Sequence, residues 1–253
     1  MLEQRIAENT AFQQIDLNQW IFERLSVRRD AHVLELCCGT GAQTVHFLKH
    51  IGESGSMSVV DISRPALDTL ASRASFAAPK LTLLQARLDN FPLALRESRY
   101  QPPFFDLIFC AYGLYYAENA RRVLQESLGW LSPGGRLVII GPFGPNNQPV
   151  FNLVRESGAT LSPAVLDSSE RFMLETVLPW AAQNFESISV HTLVNRVRWT
   201  EAERVLNYWE NTTFYDPAKR LAFERLLRLH FDQHGEFINE KWIMMAEMKD
   251  ARN

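Results

Sequence analysis

Val33-Leu34-Glu35-Leu36-Cys37-Cys38-Gly39-Thr40-Gly41-Ala42-Gln43-Thr44 decides how this chain folds. An apolar run climbs to a tight glycine turn and then opens into a helical pattern. Two glycines separated by one residue let the backbone approach a ligand closely, and the N–H groups of the following helix face whatever lies there. Twenty residues beyond Gly41, after a second apolar run from Met57 to Val60, stands Asp61. That is the distance at which a doubly wound fold sets an acid against a ribose diol. Together the two features predict a nucleoside-containing ligand across the carboxyl ends of two neighbouring parallel strands.

Outward from this stretch, strand and helix patterns alternate. Strands are expected near 32–37, 57–61, 81–85, 104–111 and 135–141, and helices near 42–50, 64–74 and 117–131. Such alternation means βαβ units and a parallel sheet, with right-handed crossovers bringing the ligand to the strand ends. Upstream, the apolar set Phe12, Ile15, Trp20, Ile21 and Leu25, with a step of three from Phe12 to Ile15 and of four from Ile21 to Leu25, predicts one helix from 11 to about 27. Beyond the loop Gly141-Pro142-Phe143-Gly144-Pro145-Asn146-Asn147 comes a helix near 148–157. A second is opened by the capping box Asp167-Ser168-Ser169-Glu170, with Pro179 set to kink or end it. Residues 187–199 and 237–247 read as strands. The two helices between them are started by Thr200-Glu201-Ala202-Glu203 and Asp216-Pro217, with Gly235 just past the end of the second.

The glycine pattern narrows the ligand. A dinucleotide fold wants glycine or alanine at the sixth position of G-x-G-x-x-G, and counting from Gly39 that position is Thr44. The carboxylate of Glu35 repels a pyrophosphate but suits a cation. The segment Glu35 to Gly41 resembles the first motif of the class I S-adenosylmethionine-dependent methyltransferases, acid-apolar-Gly-Cys-Gly-Thr-Gly, with Cys37 in place of the first glycine. The resemblance continues through Asp61, then Gln85-Ala86-Arg87-Leu88-Asp89-Asn90-Phe91-Pro92, Phe105-Asp106-Leu107-Ile108-Phe109-Cys110 and Leu131-Ser132-Pro133-Gly134-Gly135. It covers roughly residues 30 to 142 in the family's order and spacing.

The resemblance implies an α/β fold: a doubly wound, Rossmann-like seven-stranded sheet, mostly parallel with an antiparallel last strand, plus a helical insertion near the C-terminus. It implies a single methyltransferase domain over 1–253, with a cofactor-binding core at 1–145. A helical substrate-covering segment follows at 146–186, then a C-terminal β-hairpin at 187–253 carrying the insertion 200–235. The cofactor implied is S-adenosyl-L-methionine. Around it the resemblance places Glu35, Cys37, Gly39, Gly41, Asp61, Ile62, Leu88, Asp89, Cys110 and Tyr112. Asp61 grips the ribose, and Leu88 and Asp89 meet the adenine edge because Arg87 stands where many members have an acid.

Methyl transfer from a sulfonium needs alignment and exclusion of water more than a fixed base, so no catalytic base is assigned. Tyr112, Tyr115 and Tyr116, just after the fourth strand, are placed against the substrate and steady a sulfonium by cation–π contact, or else pack under the next helix. The implied activity is methylation of a small molecule, as in the ubiquinone/menaquinone and malonyl-carrier methyltransferases. Oxygen is preferred as acceptor atom because no Asn-Pro-Pro-Tyr-type amino-methylation motif appears. The alternatives are a catalytically inactive S-adenosylmethionine-binding regulatory or partner protein and a nicotinamide-dependent oxidoreductase, the latter opposed by Thr44.

Composition excludes other classes. The 253 residues carry a net charge of −3 with no basic stretch, so nucleic acid is not an expected partner. Cys37, Cys38 and Cys110 fall on expected core strands, as buried free thiols of a reducing compartment. With no charged-then-apolar leader and no membrane-length apolar run, a cytoplasmic protein without membrane contact is expected. His230 and His234 are four residues apart, but no further ligand pattern completes a metal set, and no metal is expected. Trp199, Tyr208, Trp209, Phe214, Tyr215 and Trp242 read as core of the inserted helices rather than as a substrate pocket. Arg196 and Arg198 read as a solvated strand face. The oligomeric state is left open.

Overall fold

In the computed structural model, which describes residues 10–252 apart from the side chains of residues 76, 78 and 79, the apolar runs become seven strands. These are β1 (His32–Leu36), β2 (Ser56–Asp61), β3 (Leu81–Gln85), β4 (Phe105–Ala111), β5 (Leu131–Pro142), β6 (Phe185–Trp199) and β7 (Phe237–Ala251). They form one sheet in the order β3-β2-β1-β4-β5-β7-β6, with six strands parallel and the last antiparallel. β1, β2 and β4 are buried along nearly their whole length, as strands of a parallel sheet covered on both faces are. In the register, Leu36 lies opposite both Val60 and Cys110, so β1, β2 and β4 end level with one another. Strand order reverses between β1 and β4, which is where ligands bind in open α/β sheets.

The helices of this half are α1 (Leu17–Phe22), α2 (Thr44–His50), α3 (Arg64–Arg73), α4 (Phe91–Glu97) and α5 (Ala120–Trp130). Side chains start two of them. Ser63 accepts from the Ala66 N–H at 3.3 Å ahead of α3, and Asn119 accepts from the Arg122 N–H at 3.0 Å ahead of α5. Phe47 of α2 meets Phe109 of β4 edge-on at 5.1 Å in the core.

Three local expectations are corrected. The single helix over 11–27 is broken. Gln13 forms a β-bridge with Val197, and the buried Asn195 side chain accepts from the Ile15 N–H and donates to the Ile15 carbonyl. A long-range pairing thus outweighs the local helical period. The turn Ser132-Pro133-Gly134-Gly135 lies inside β5 as an irregularity, opposite a register shift between Phe105 and Leu107. Finally, Asp167-Ser168-Ser169-Glu170 does not open a helix. Ser162 does, accepting from the Val165 N–H at the start of a helical run that continues through Asp167–Val177.

In that region α6 is Gln148–Glu156, followed by α7 (Pro163–Leu166), a π-helical stretch Asp167–Val177, and α8 (Leu178–Asn184). Pro179 sits in the first turn of α8, where a missing N–H is tolerated, and does not end the run. Between β6 and β7 lie the two expected helices, α9 (Ala202–Glu210) and α10 (Arg220–His234). Asp216 accepts from the Ala218 N–H just before α10, and Gly235 at φ 73° closes it.

The chain divides into two compact units. One comprises, of the described residues, 10–17, 142–173 and 192–244; its core contains Trp199, Tyr208 and Trp209, each at most 2% exposed, with Phe214 and Tyr215 packed against them. The other comprises residues 18–141, 174–191 and 245–253 and contains β1 to β4 with their connecting turns. Among the described residues no helix is long and apolar enough to cross a membrane.

Candidate functional site

The level carboxyl ends of β1, β2 and β4, with the loop after β3, bring the expected residues to one edge of the second unit. At the end of β1, Cys37 takes a left-handed backbone at φ 59°, a conformation that costs a non-glycine residue about 1–2 kcal/mol. Its N–H donates to the Val60 carbonyl at 2.8 Å, so the turn is tied to the neighbouring strand. Gly39 and Gly41 follow at φ 53° and 79°. A Cβ on Gly39 would meet nothing within 4 Å, so this backbone faces open space. A Cβ on Gly41 would lie 2.2 Å from Leu70 Cδ1, so this glycine lets α3 pack against the turn. The two glycines therefore do different work.

Glu35, 1% exposed, accepts a hydrogen bond from Thr44 Oγ1 at 2.5 Å. Burial pushes its carboxyl up to about 8; the Thr44 bond opposes the shift and the charge of Asp61 adds to it. Thr44 is a residue that the motif reading used only to argue against a dinucleotide. Its place as the first residue of α2, with its hydroxyl turned back on Glu35 of β1, is the signal for its role.

Asp61, at the end of β2, accepts from the Gly39 N–H and the Ser63 N–H, each at 2.8 Å. An ionised carboxylate has about four lone-pair sites, so these bonds leave acceptor capacity for a diol. Beside it Ile62 is 58% exposed, an apolar side chain held in solvent next to the turn.

Leu88, 8% exposed, and Asp89 lie in a short 3₁₀ turn after β3. The Asp89 oxygens accept from the backbone N–H groups of Glu118 and Asn119 at 2.9 and 3.0 Å, and Arg87 pairs with Glu118 at 2.5 Å. Partial burial raises the Asp89 carboxyl, but the two N–H bonds and Arg87 more than offset it, so it stays below its usual range. Asp89 and Arg87 thus latch the loop after β3 to the loop before α5.

Cys110, buried at the end of β4, and Tyr112, at φ 56°, complete the set; the Tyr112 N–H donates to the Ile140 carbonyl at 2.8 Å. Tyr115 and Tyr116 follow in a 3₁₀ turn with ring centroids 4.7 Å apart, and Tyr116 is 62% exposed. Gly113 was not singled out from the sequence. A Cβ there would lie 2.3 Å from Cys37 Cβ, so its backbone packs directly on the β1 turn.

Elsewhere, Arg196 pairs with Glu240 at 3.2 Å and Arg198 pairs with Glu236, as a solvated strand face does. The rings of His230 and His234 are 4.5 Å apart, and His230 Nε2 bonds the Glu236 carbonyl oxygen. Among the described residues no group of three or more histidine, cysteine or acidic side chains is arranged to hold a metal ion.

The residues at the strand ends fit S-adenosylmethionine. Open space lies in front of Gly39, an acceptor-only carboxylate with spare lone pairs lies beside it, and an exposed apolar side chain adjoins both. Comparison with known proteins agrees with this chemistry. Residues 33–135 match the family model described as a methyltransferase domain. The chain is 30% identical over 151 residues to a demethylmenaquinone methyltransferase of Lactobacillus johnsonii, covering 58% of this chain and 59% of that one. It is 31% identical over 133 residues to a ubiquinone/menaquinone biosynthesis C-methyltransferase of Azotobacter vinelandii, covering 51% and 49% respectively. The chain thus spans about half the length of the curated relatives it matches. Among solved structures, a putative methyltransferase from Bacillus halodurans shares the fold with a TM-score of 0.63 over 93% of this chain and 99% of that one, at 11% identity.

Proposed function

We propose that this protein, whose residues 33–135 match a methyltransferase-domain family model, is a class I S-adenosylmethionine-dependent methyltransferase that transfers a methyl group to a small, hydroxylated aromatic molecule of the quinol type. The observation that carries the cofactor reading is the pairing of Gly39, whose missing side chain leaves the turn open, with the carboxylate of Asp61 bonded to its N–H. The names of the quinone-methylating relatives support the acceptor class.

When bound, the cofactor supplies an electrophilic methyl group on a cationic sulfur. The chain's own part is to hold and orient. Asp61 accepts from the ribose hydroxyls, the Ile62 side chain and buried Leu88 wall the base, and Gly39 leaves room for the backbone approach. Glu35, sitting beneath the turn, is stabilised in its charged form by a nearby cation. Tyr112, Tyr115 and Tyr116 offer ring faces to positive charge and to an aromatic acceptor. Asp89 holds the segment that presents them, and the adenine edge falls to Leu88.

Oxygen is the acceptor atom proposed from the sequence; a ring carbon beside the hydroxyl is the second reading, favoured by the name of the Azotobacter vinelandii relative. The test is incubation with radiolabelled S-adenosylmethionine and a panel of reduced hydroxynaphthoquinones. Label in the organic phase supports the proposal, and NMR of the product shows whether oxygen or carbon carries the methyl. Tight binding of S-adenosylhomocysteine with no transfer to any acceptor would instead favour an inactive cofactor-binding protein.

A further inference from the structure

The β1 turn contains two thiols whose arrangement goes beyond what methyl transfer requires. Cys37 follows Leu36, the residue in register with Cys110 across β1 and β4, so the two cysteines stand at adjoining strand ends. With strands about 4.8 Å apart and a rise of about 3.3 Å per residue, the one-residue offset puts the two Cα atoms roughly 5.8 Å apart, within the about 4.4–6.8 Å that a disulfide spans. A single point, the Cβ position of Gly113, is 2.7 Å from Cys37 Sγ and 3.3 Å from Cys110 Sγ, so both sulfurs crowd the same space. The absent side chain of Gly113 is what leaves it to them. A hydrogen bond between the thiols, and after it burial, holds the Cys110 thiol well above its usual range. Cys37 is partly exposed and Cys110 is not, so an oxidant meets Cys37 first. Cys38 is no competitor: its thiol donates to the Gly39 carbonyl at 3.6 Å, and a link between adjacent residues demands a distorted peptide.

We propose that Cys37 and Cys110 form an oxidisable pair, converted by hydrogen peroxide to a disulfide that weakens cofactor binding. Peroxide transfers one oxygen to the Cys37 thiol, giving a sulfenic acid and one water. The Cys110 sulfur then bonds to the Cys37 sulfur as the S–O bond breaks, and its proton leaves with the hydroxyl as a second water. Two thiols lose two electrons and one peroxide gains them. The disulfide fixes the left-handed Cys37 turn to β4, so the segment that carries the Gly39 N–H, bonded to Asp61, can no longer adjust to the cofactor.

The effect on binding rests on the cofactor reading; the cross-link itself does not. The experiment treats the full chain with peroxide, maps cysteine-containing peptides by mass, and titrates S-adenosylhomocysteine before oxidation, after it and after dithiothreitol. A Cys37–Cys110 peptide short of two hydrogens is expected, with affinity falling by about tenfold or more and returning on reduction. Cys38→Ala should still form the link. Cys110→Ala should form none and should instead trap a Cys37 sulfenic acid that dimedone labels. Reduced protein that binds S-adenosylhomocysteine but yields no such peptide, or yields it with unchanged affinity, overturns the proposal. Reduced protein that never binds S-adenosylhomocysteine overturns the cofactor reading instead, and with it the predicted loss of binding.

Discussion

Thr44 donates its hydroxyl to Glu35 over 2.5 Å with both residues out of water, so a strong hydrogen bond holds the buried carboxyl at the end of β1. That relationship sets the first prediction. Because the Glu35 carboxyl is raised to about 8 in the folded chain from 4.5, the folded state holds a proton that the unfolded state has lost across that interval. Its contribution to stability is therefore fully present below 4.5 and falls as pH rises to about 8, at a slope of up to about 1.4 kcal/mol per pH unit. Glu35→Gln should remove the fall and raise Tm at pH 8 while weakening S-adenosylmethionine binding. Calorimetric melts of both proteins from pH 5 to 9 check it; parallel curves would mean that Glu35 is not the group responsible.

Gly39 and Gly41 should fail in different ways. Gly39→Ala meets no neighbour, so the protein should keep its fold at a cost of about 1–2 kcal/mol for the left-handed backbone while losing ligand affinity. Gly41→Ala strikes Leu70 and should lower Tm much further, with partial recovery in the double variant Gly41→Ala/Leu70→Ala. Thermal melts alongside S-adenosylhomocysteine titrations separate the two. Equal loss of stability at both positions would contradict the division of labour.

Asp89 is expected to act through the loop it holds. Asp89→Ala frees the N–H groups of Glu118 and Asn119 to water and so unties the loop at little global cost. Amide hydrogen exchange at 117–120 should accelerate, and KM for S-adenosylmethionine should rise more than kcat falls. Unchanged exchange in that segment would remove the latch from the account.

Tyr115 carries the substrate-side prediction. Tyr115→Phe should retain most activity, whereas Tyr115→Ala should lower kcat by about tenfold, the worth of one ring face toward a cation, with little change in S-adenosylhomocysteine affinity. Identical kinetics in both variants would take this ring out of the site.

Much of this arrangement was legible because the residues that make it are close in sequence or tied to a period. The β1 turn, the acid ending β2 and the alternation of strands and helices each follow from local pattern, and the structure sets them side by side through parallel pairing. Contacts between distant segments were less legible. The Gln13–Val197 bridge interrupts an apparently helical stretch, and only the partner strand reveals it. The π-helical Asp167–Val177 has no sequence period of its own, so Ser169 and Glu170 looked like the start of a helix that Ser162 begins. Gly113 matters because of Cys37, seventy-six residues away, and nothing beside Gly113 in the sequence announces it.

The central claim meets its most direct test in titration calorimetry of S-adenosylhomocysteine against the reduced wild-type chain and Asp61→Ala, with a thermal melt of each. One site per chain is expected in the wild type, and affinity about thirtyfold lower or worse in the variant, as loss of a charged partner to two hydroxyls implies. Absence of binding to the wild type, or equal affinity in a folded Asp61→Ala, would contradict it.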